Sequence, residues 1–194
     1  QHRKMWSVLK SLFRINYKQE RFKIGNIEIY LAGHSDQSGL AASQVSAISC
    51  IDTVTGWWEI EMIKGQSQEA WQLGLEKIYK RFPVLISVKF NDFMPAASAP
   101  KYSAKSLGDS ELEILLSLCK NELRLYHNFF QVLLRINKRG DVISKTPYSR
   151  IMELSVASQS TKQELHQIYT MLNPAQLKRT FDAKLDTILR DFKY

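Results

Sequence analysis

Few side chains in this 194-residue chain are suited to chemistry, and they are scattered. Asp52 is the most conspicuous carboxylate, closing the apolar run Val45 to Ile51 where a catalytic acid could stand. An Asp followed by Thr53 also suits a turn, its carboxylate accepting a nearby backbone N–H, and that structural role is the preferred one. His34 lies in the Gly/Ser/Asp-rich stretch Gly33 to Gly39 with no companion at ligand spacing, so it reads as a lone turn histidine rather than a metal ligand. Trp57 and Trp58 are able to stack on nucleobases. Neighbours on a strand face opposite ways, however, so at least one must enter the core, which is the default for both. No nucleophile motif surrounds any Ser, His or Cys. Cys50 and Cys119 sit in apolar surroundings without a Cys-x-x-Cys pair, as expected of buried thiols in a reducing, cytoplasmic compartment.

The remaining chemical signal is charge. A net charge of +8 and a pI near 9.5 make a polyanion the first partner to consider, since Lys and Arg gain affinity for phosphates by releasing condensed counterions. Solubility is an equally good reason for such an excess. Arg3, Lys4, Lys10 and Arg14 crowd the N-terminus, and Lys138-Arg139 and Lys178-Arg179 form later pairs. All eight are DNA-binding candidates, although helix ends and solvated faces account for the pairs equally well. With 44% hydrophobic and 24% charged residues, the composition is that of a folded domain. No apolar run approaches the ~20 residues of a membrane span, and no signal-peptide pattern is present, so no membrane partner is expected.

The elements that must position these residues fall into four segments. Residues 1–21 read as a basic amphipathic helix, with Met5, Trp6, Leu9, Leu12 and Phe13 at helical spacing. Residues 22–93 contain three short β-runs within about Ile27 to Ile63, then a helix from Ser67 to Arg81 and an apolar run, Val84 to Val88, expected to return as a parallel strand. In the third run Trp57, Glu59 and Glu61 should face one way, and Trp58, Ile60 and Met62 the other. Residues 94–108, rich in Pro, Ala and Ser, read as a linker. Residues 109–194 read as all helical. A stripe from Leu112 to Leu133 predicts one helix to about Asn137, Pro147 opens a short helix after Thr146, Thr161 with Glu164 suggests a capping box, and Asn173-Pro174 opens the last helix.

The order of these elements, with Ile51-Asp-Thr-Val-Thr-Gly-Trp-Trp-Glu-Ile-Glu61 across the second and third strands, resembles the catalytic core of retroviral integrases and DDE transposases. The texts ELRLYHNFFQ, KTPYSRIMEL and IYTMLNPAQLKR resemble the C-terminal region of bacterial insertion-sequence transposases. The likeness covers roughly Ile27 to Phe93 and Leu107 to Phe192. It implies an α/β fold: a truncated ribonuclease-H-like core, made of an antiparallel three-strand meander, a helix and a parallel strand, followed by an all-helical C-terminal region.

Intact members of that family hold two Mg²⁺ or Mn²⁺ ions on three carboxylates around a scissile phosphate. In this chain Tyr30 takes the first carboxylate position, within Glu28-Ile-Tyr30-Leu-Ala-Gly-His34, and Phe90 takes the second, within Val88-Lys-Phe90-Asn-Asp92. The segment that should bear the third is missing. A phenol with a pKa near 10 is a poor Mg²⁺ ligand at neutral pH. No cofactor is therefore expected, and the fallback set Glu28, Asp52 and Asp92 is misplaced for a geometry that tolerates little error.

The resemblance implies a degenerate transposase or integrase with residual, weak and nonspecific DNA binding and no strand transfer. Two alternatives accompany it. The chain could be an interaction or inhibitory partner of an intact transposase or of itself, through the Leu112–Leu133 stripe, or a decaying frame without function.

Overall fold

The computed structural model describes residues 27–33, 45–64, 67–84, 109–136 and 140–191. Several expectations lie outside them: the basic helix over 1–21, the run from Phe22 to Asn26, residues 85–88 of the parallel strand, and the linker over 94–108. The same holds for Arg3, Lys4, Lys10, Arg14, His34, Phe90, Asp92, Lys138 and Arg139. The side chains of Glu28 and Tyr30 are also outside what is described, although their backbone is placed.

The expected meander is present. Strands β1 (Ile27–Gly33), β2 (Val45–Asp52) and β3 (Trp58–Lys64) form an antiparallel sheet in the order β1-β2-β3. Ile51 pairs with Glu28 and Trp58, and Ser49 pairs with Tyr30 and Ile60. Strand alternation sends Ile48, Cys50 and Ile63 to one face, where they pack with Ile78 beneath helix α1 (Gln68–Tyr79). Ser67 caps α1 as expected, accepting a hydrogen bond from the Ala70 N–H. Gly74 lets this helix lie flat on the sheet: a Cβ there would come within 2.6 Å of Ile63 and 2.8 Å of Ile48.

The opposite face carries Ala47, Ile51, Trp58 and Ile60, covered by helix α2 (Asp109–Leu118), a π-helical segment (Cys119–Leu123) and the C-terminal helix α6 (Pro174–Asp191). Leu115, Leu116, Leu118, Cys119 and Leu123 are all buried there. The described part of the Leu112–Leu133 stripe is thus largely consumed by the chain's own core rather than left for a partner.

The chain continues as α3 (Arg124–Phe130), and here the expectation of one helix to Asn137 is corrected. Gln131 turns extended at ψ 118°, and β4 (Leu133–Ile136) pairs antiparallel with β5 (Val142–Lys145), so the C-terminal region is not all helical. Leu133 stands three residues after Phe130, so the helical spacing ran on by coincidence. The β-branched Ile136, Val142 and Ile143 lie in the hairpin strands instead, with Gly140 at φ 89° between them.

Helix α4 (Pro147–Glu153) has the expected Thr146 cap and Pro147 at its start. Helix α5 (Gln159–Met171) is capped by Ser158, not Thr161: the Ser158 Oγ accepts from the Thr161 N–H at 3.1 Å. Asn173 caps α6 by accepting from the Gln176 N–H at 3.0 Å. Among the described residues, no helix is long and apolar enough to cross a membrane.

Among the described residues, strand β3 has no β-partner on its outer side, and side chains bond to that edge. Asn128 of α3 accepts from the Trp58 N–H at 2.8 Å and donates to the Trp58 carbonyl at 2.8 Å, as a neighbouring strand would. Arg81 donates to the Ile60 carbonyl at 2.8 Å. Asn128→Asp, which replaces the donor with a second acceptor facing the Trp58 carbonyl, is expected to destabilise the fold by about 3 kcal/mol in urea denaturation followed by tryptophan fluorescence. Cys50 and Cys119 are both buried and outside any disulfide, and burial raises both thiols well above their ordinary pKa. Neither should react with iodoacetamide at neutral pH until denaturant is added, as mass spectrometry will report.

Candidate functional site

Among the described residues, the densest cluster of charged groups lies on β3. Glu59 and Glu61 alternate along the strand and so share a face, with side chains 0% and 5% exposed. Two carboxylates cannot be removed from water unpaired, and three cations converge on them. Arg81, just beyond α1, donates from Nε to Glu59 Oε2 at 2.8 Å and from Nη1 to Glu61 Oε2 at 2.7 Å. Lys120 of the π-helical segment reaches Glu61 Oε1 at 2.8 Å. Arg124 donates from Nη1 to Glu59 Oε1 at 2.9 Å, where the Trp57 indole N–H also donates at 2.9 Å.

Local structure explains the convergence. Lys120 and Arg124 are four residues apart, and Arg124 Nε donates to the Lys120 carbonyl at 2.9 Å, which ties the two stems together. The π-helical turn between them changes the phase of the helix. Lys120 and Arg124 thus meet the strand's carboxylates while His127 and Asn128 meet Gly56 and Trp58 one turn later. The ring of His127 is buried, stands 5.6 Å from that of Trp58, and has Nε2 3.0 Å from the Gly56 carbonyl. Its Nδ1 lies 3.3 Å from Gln131 Oε1.

Burial pushes the His127 pKa below that of a free imidazole, and the contacts with Gly56 and Gln131 recover part of the shift. Burial alone would raise the Glu61 carboxyl, but hydrogen bonds from Lys120 and Arg81 outweigh it and hold the pKa below the ordinary range. Burial likewise disfavours the charged form of Arg81, while its bonds to Glu59 and Glu61 raise it on balance.

Asp52 stands where the turn reading put it. It is buried at the end of β2, and its Oδ2 accepts from the Thr55 N–H at 2.8 Å and from the Thr55 hydroxyl. Gly56 closes the turn at φ 77°, with its N–H on the Asp52 carbonyl at 2.7 Å. Trp57 and Trp58 are both 3% exposed and hence core residues, so neither offers a ring for stacking. Lys178 and Arg179 are exposed on α6, bonded to Asp182 at 2.7 Å and to Gln176 at 3.1 Å.

These donor sets do not fit a two-metal centre. All four oxygens of Glu59 and Glu61 are engaged by cations, and the Asp52 carboxylate is held by its own turn. Among the described residues, no three His, Cys, Asp or Glu side chains are grouped so as to hold a metal ion. What the cluster does is join both helical layers to β3.

Sequence reasoning placed Glu59 and Glu61 on one face with Trp57 but assigned them no role. The signal was two acids alternating with the apolar Trp58, Ile60 and Met62 along one strand. Their partners, Arg81, Lys120 and Arg124, lie 20 to 65 residues away and carry no local mark. The chain matches no protein-family model, no curated protein and no solved structure.

The pH dependence of stability follows from the two depressed groups. The unfolded chain takes up a proton on His127 near pH 6.5, whereas the folded chain resists it, so this contribution is complete above that value and is lost as pH falls toward the folded pKa. Glu61 adds a second loss, beginning near pH 4.3 and continuing as pH falls toward its lowered folded pKa. The urea midpoint should therefore drop between pH 7.5 and 5.5, and His127→Gln should flatten that step. An unchanged midpoint in the parent chain would contradict the assignment.

Proposed function

We propose that this chain is a non-catalytic, nucleic-acid-binding relative of integrase-type transposases. The carrying observation is the fate of the carboxylates. Tyr30 and Phe90 stand at the two positions that the resemblance assigns to metal-binding Asp residues. The acids buried in the described sheet, Asp52, Glu59 and Glu61, are bound by a turn and by three cations. The three-strand meander followed by a helix is compatible with a shortened ribonuclease-H-like core, and the net charge of +8 supports a polyanionic ligand.

Binding of this kind is driven by counterion release, and it is weak, insensitive to sequence and steeply dependent on salt. The chain should retain duplex DNA in a mobility-shift assay at low salt and release it as salt approaches physiological strength. It should show no Mg²⁺- or Mn²⁺-dependent nicking or strand transfer. Activity that disappears on changing Glu28, Asp52 or Asp92 to Ala would overturn the proposal.

A further inference from the structure

Arg81, Lys120 and Arg124 meet at one place on β3, although they come from the end of α1 and from the π-helical segment and α3. The side chains of the carboxylates beneath them are 0% and 5% exposed, while those of the three cations are 27%, 35% and 18% exposed. Three positive charges over two negative ones leave one in excess, and it lies on the solvent side. The donors are not exhausted either. Lys120 has one hydrogen bond from a group with three N–H bonds, and Arg124 Nη2 has no partner among the described residues. Arg81 uses one N–H on each of its nitrogens, leaving one on Nη1 and one on Nη2 without a partner among the described residues.

These cations differ from ordinary surface lysines and arginines because their stems are already fixed. Glu59 and Glu61 hold them in place, so little rotamer entropy remains to be lost when an anion arrives. Guanidinium forks and an ammonium with free N–H bonds form the donor set that phosphate oxygens accept from. We infer that Arg81, Lys120 and Arg124 form a phosphate-binding patch, with Glu59 and Glu61 as its positioning residues, which takes a phosphodiester of a nucleic-acid backbone. This placement rests on the nucleic-acid-binding reading above.

The test measures binding of the full chain to a short duplex of arbitrary sequence across a chloride series. Lys120→Gln leaves Glu61 paired with Arg81 and should preserve the fold, as a thermal melt will check. It should weaken binding about fivefold and reduce the slope of log K against log salt by about 0.9. Arg124→Lys keeps the charge but loses the second nitrogen of the fork, and should cost less. Lys162→Gln makes the same charge change on α5 and should alter binding less than twofold.

Equal losses in Lys120→Gln and Lys162→Gln would reduce the effect to net charge and overturn the patch. Binding by the parent chain that Lys120→Gln leaves untouched would overturn the patch while sparing the nucleic-acid reading. Failure of the parent chain to bind at low salt would sink the reading itself, and the patch with it. Thermal stabilisation by inorganic phosphate over chloride at equal ionic strength, lost in Lys120→Gln without any change in duplex binding, would overturn the phosphodiester assignment in favour of free phosphate.

Discussion

The outer edge of β3 must be satisfied, because no strand among the described residues pairs with it and its N–H and C=O groups need hydrogen bonds. Asn128 supplies both bonds for Trp58, and Arg81 supplies one for Ile60. The same segment that brings Asn128 to the edge brings Lys120 and Arg124 to the strand's carboxylates and His127 to the preceding turn. One helical stretch therefore bonds to the outer edge of β3, neutralises its buried acids and anchors the β2–β3 turn. The two sheet faces then fill from opposite sides, α1 on one, α2 and α6 on the other.

This arrangement determines what the sheet can do. Removing one partner of a buried ion pair is costly, typically about 3 to 5 kcal/mol, because the charge left behind remains desolvated. Glu59 and Glu61 thus cannot be lent to a metal without uncovering Arg81, Arg124 and Lys120. The cations have a second use because they are larger than the acids they neutralise and reach further toward water. A cluster that ties both helical layers to the strand in this way also presents ordered positive groups toward solvent.

Much of the local structure was legible in the sequence. Alternation in Trp58 to Lys64, the Ser67 and Thr146 caps, Pro147 and the Asp52 turn are short-range features, and each stands where its chemistry predicts. Long-range features were not legible. The β4–β5 hairpin was hidden because Leu133 continued a helical spacing that ended at Phe130, and only the β-branched residues around Gly140 hinted at it. The ion-pair cluster was hidden because Arg81 and Arg124 acquire meaning only once α1 and α3 are folded against β3. The Leu112–Leu133 stripe looked like a partner surface for the same reason: a one-dimensional pattern does not say which face of the chain will cover it.

The central claim is that the polar groups of β3 are engaged in holding the fold and are closed to divalent cations. Titration of Mn²⁺ into the protein, read by paramagnetic broadening of backbone amide signals, tests it most directly. The expected result is that Asp52 and Trp58 to Glu61 keep their line widths at Mn²⁺ concentrations that broaden exposed acidic sites. Selective broadening centred on Glu59 and Glu61 would show that the cations yield to a metal, and would contradict the account.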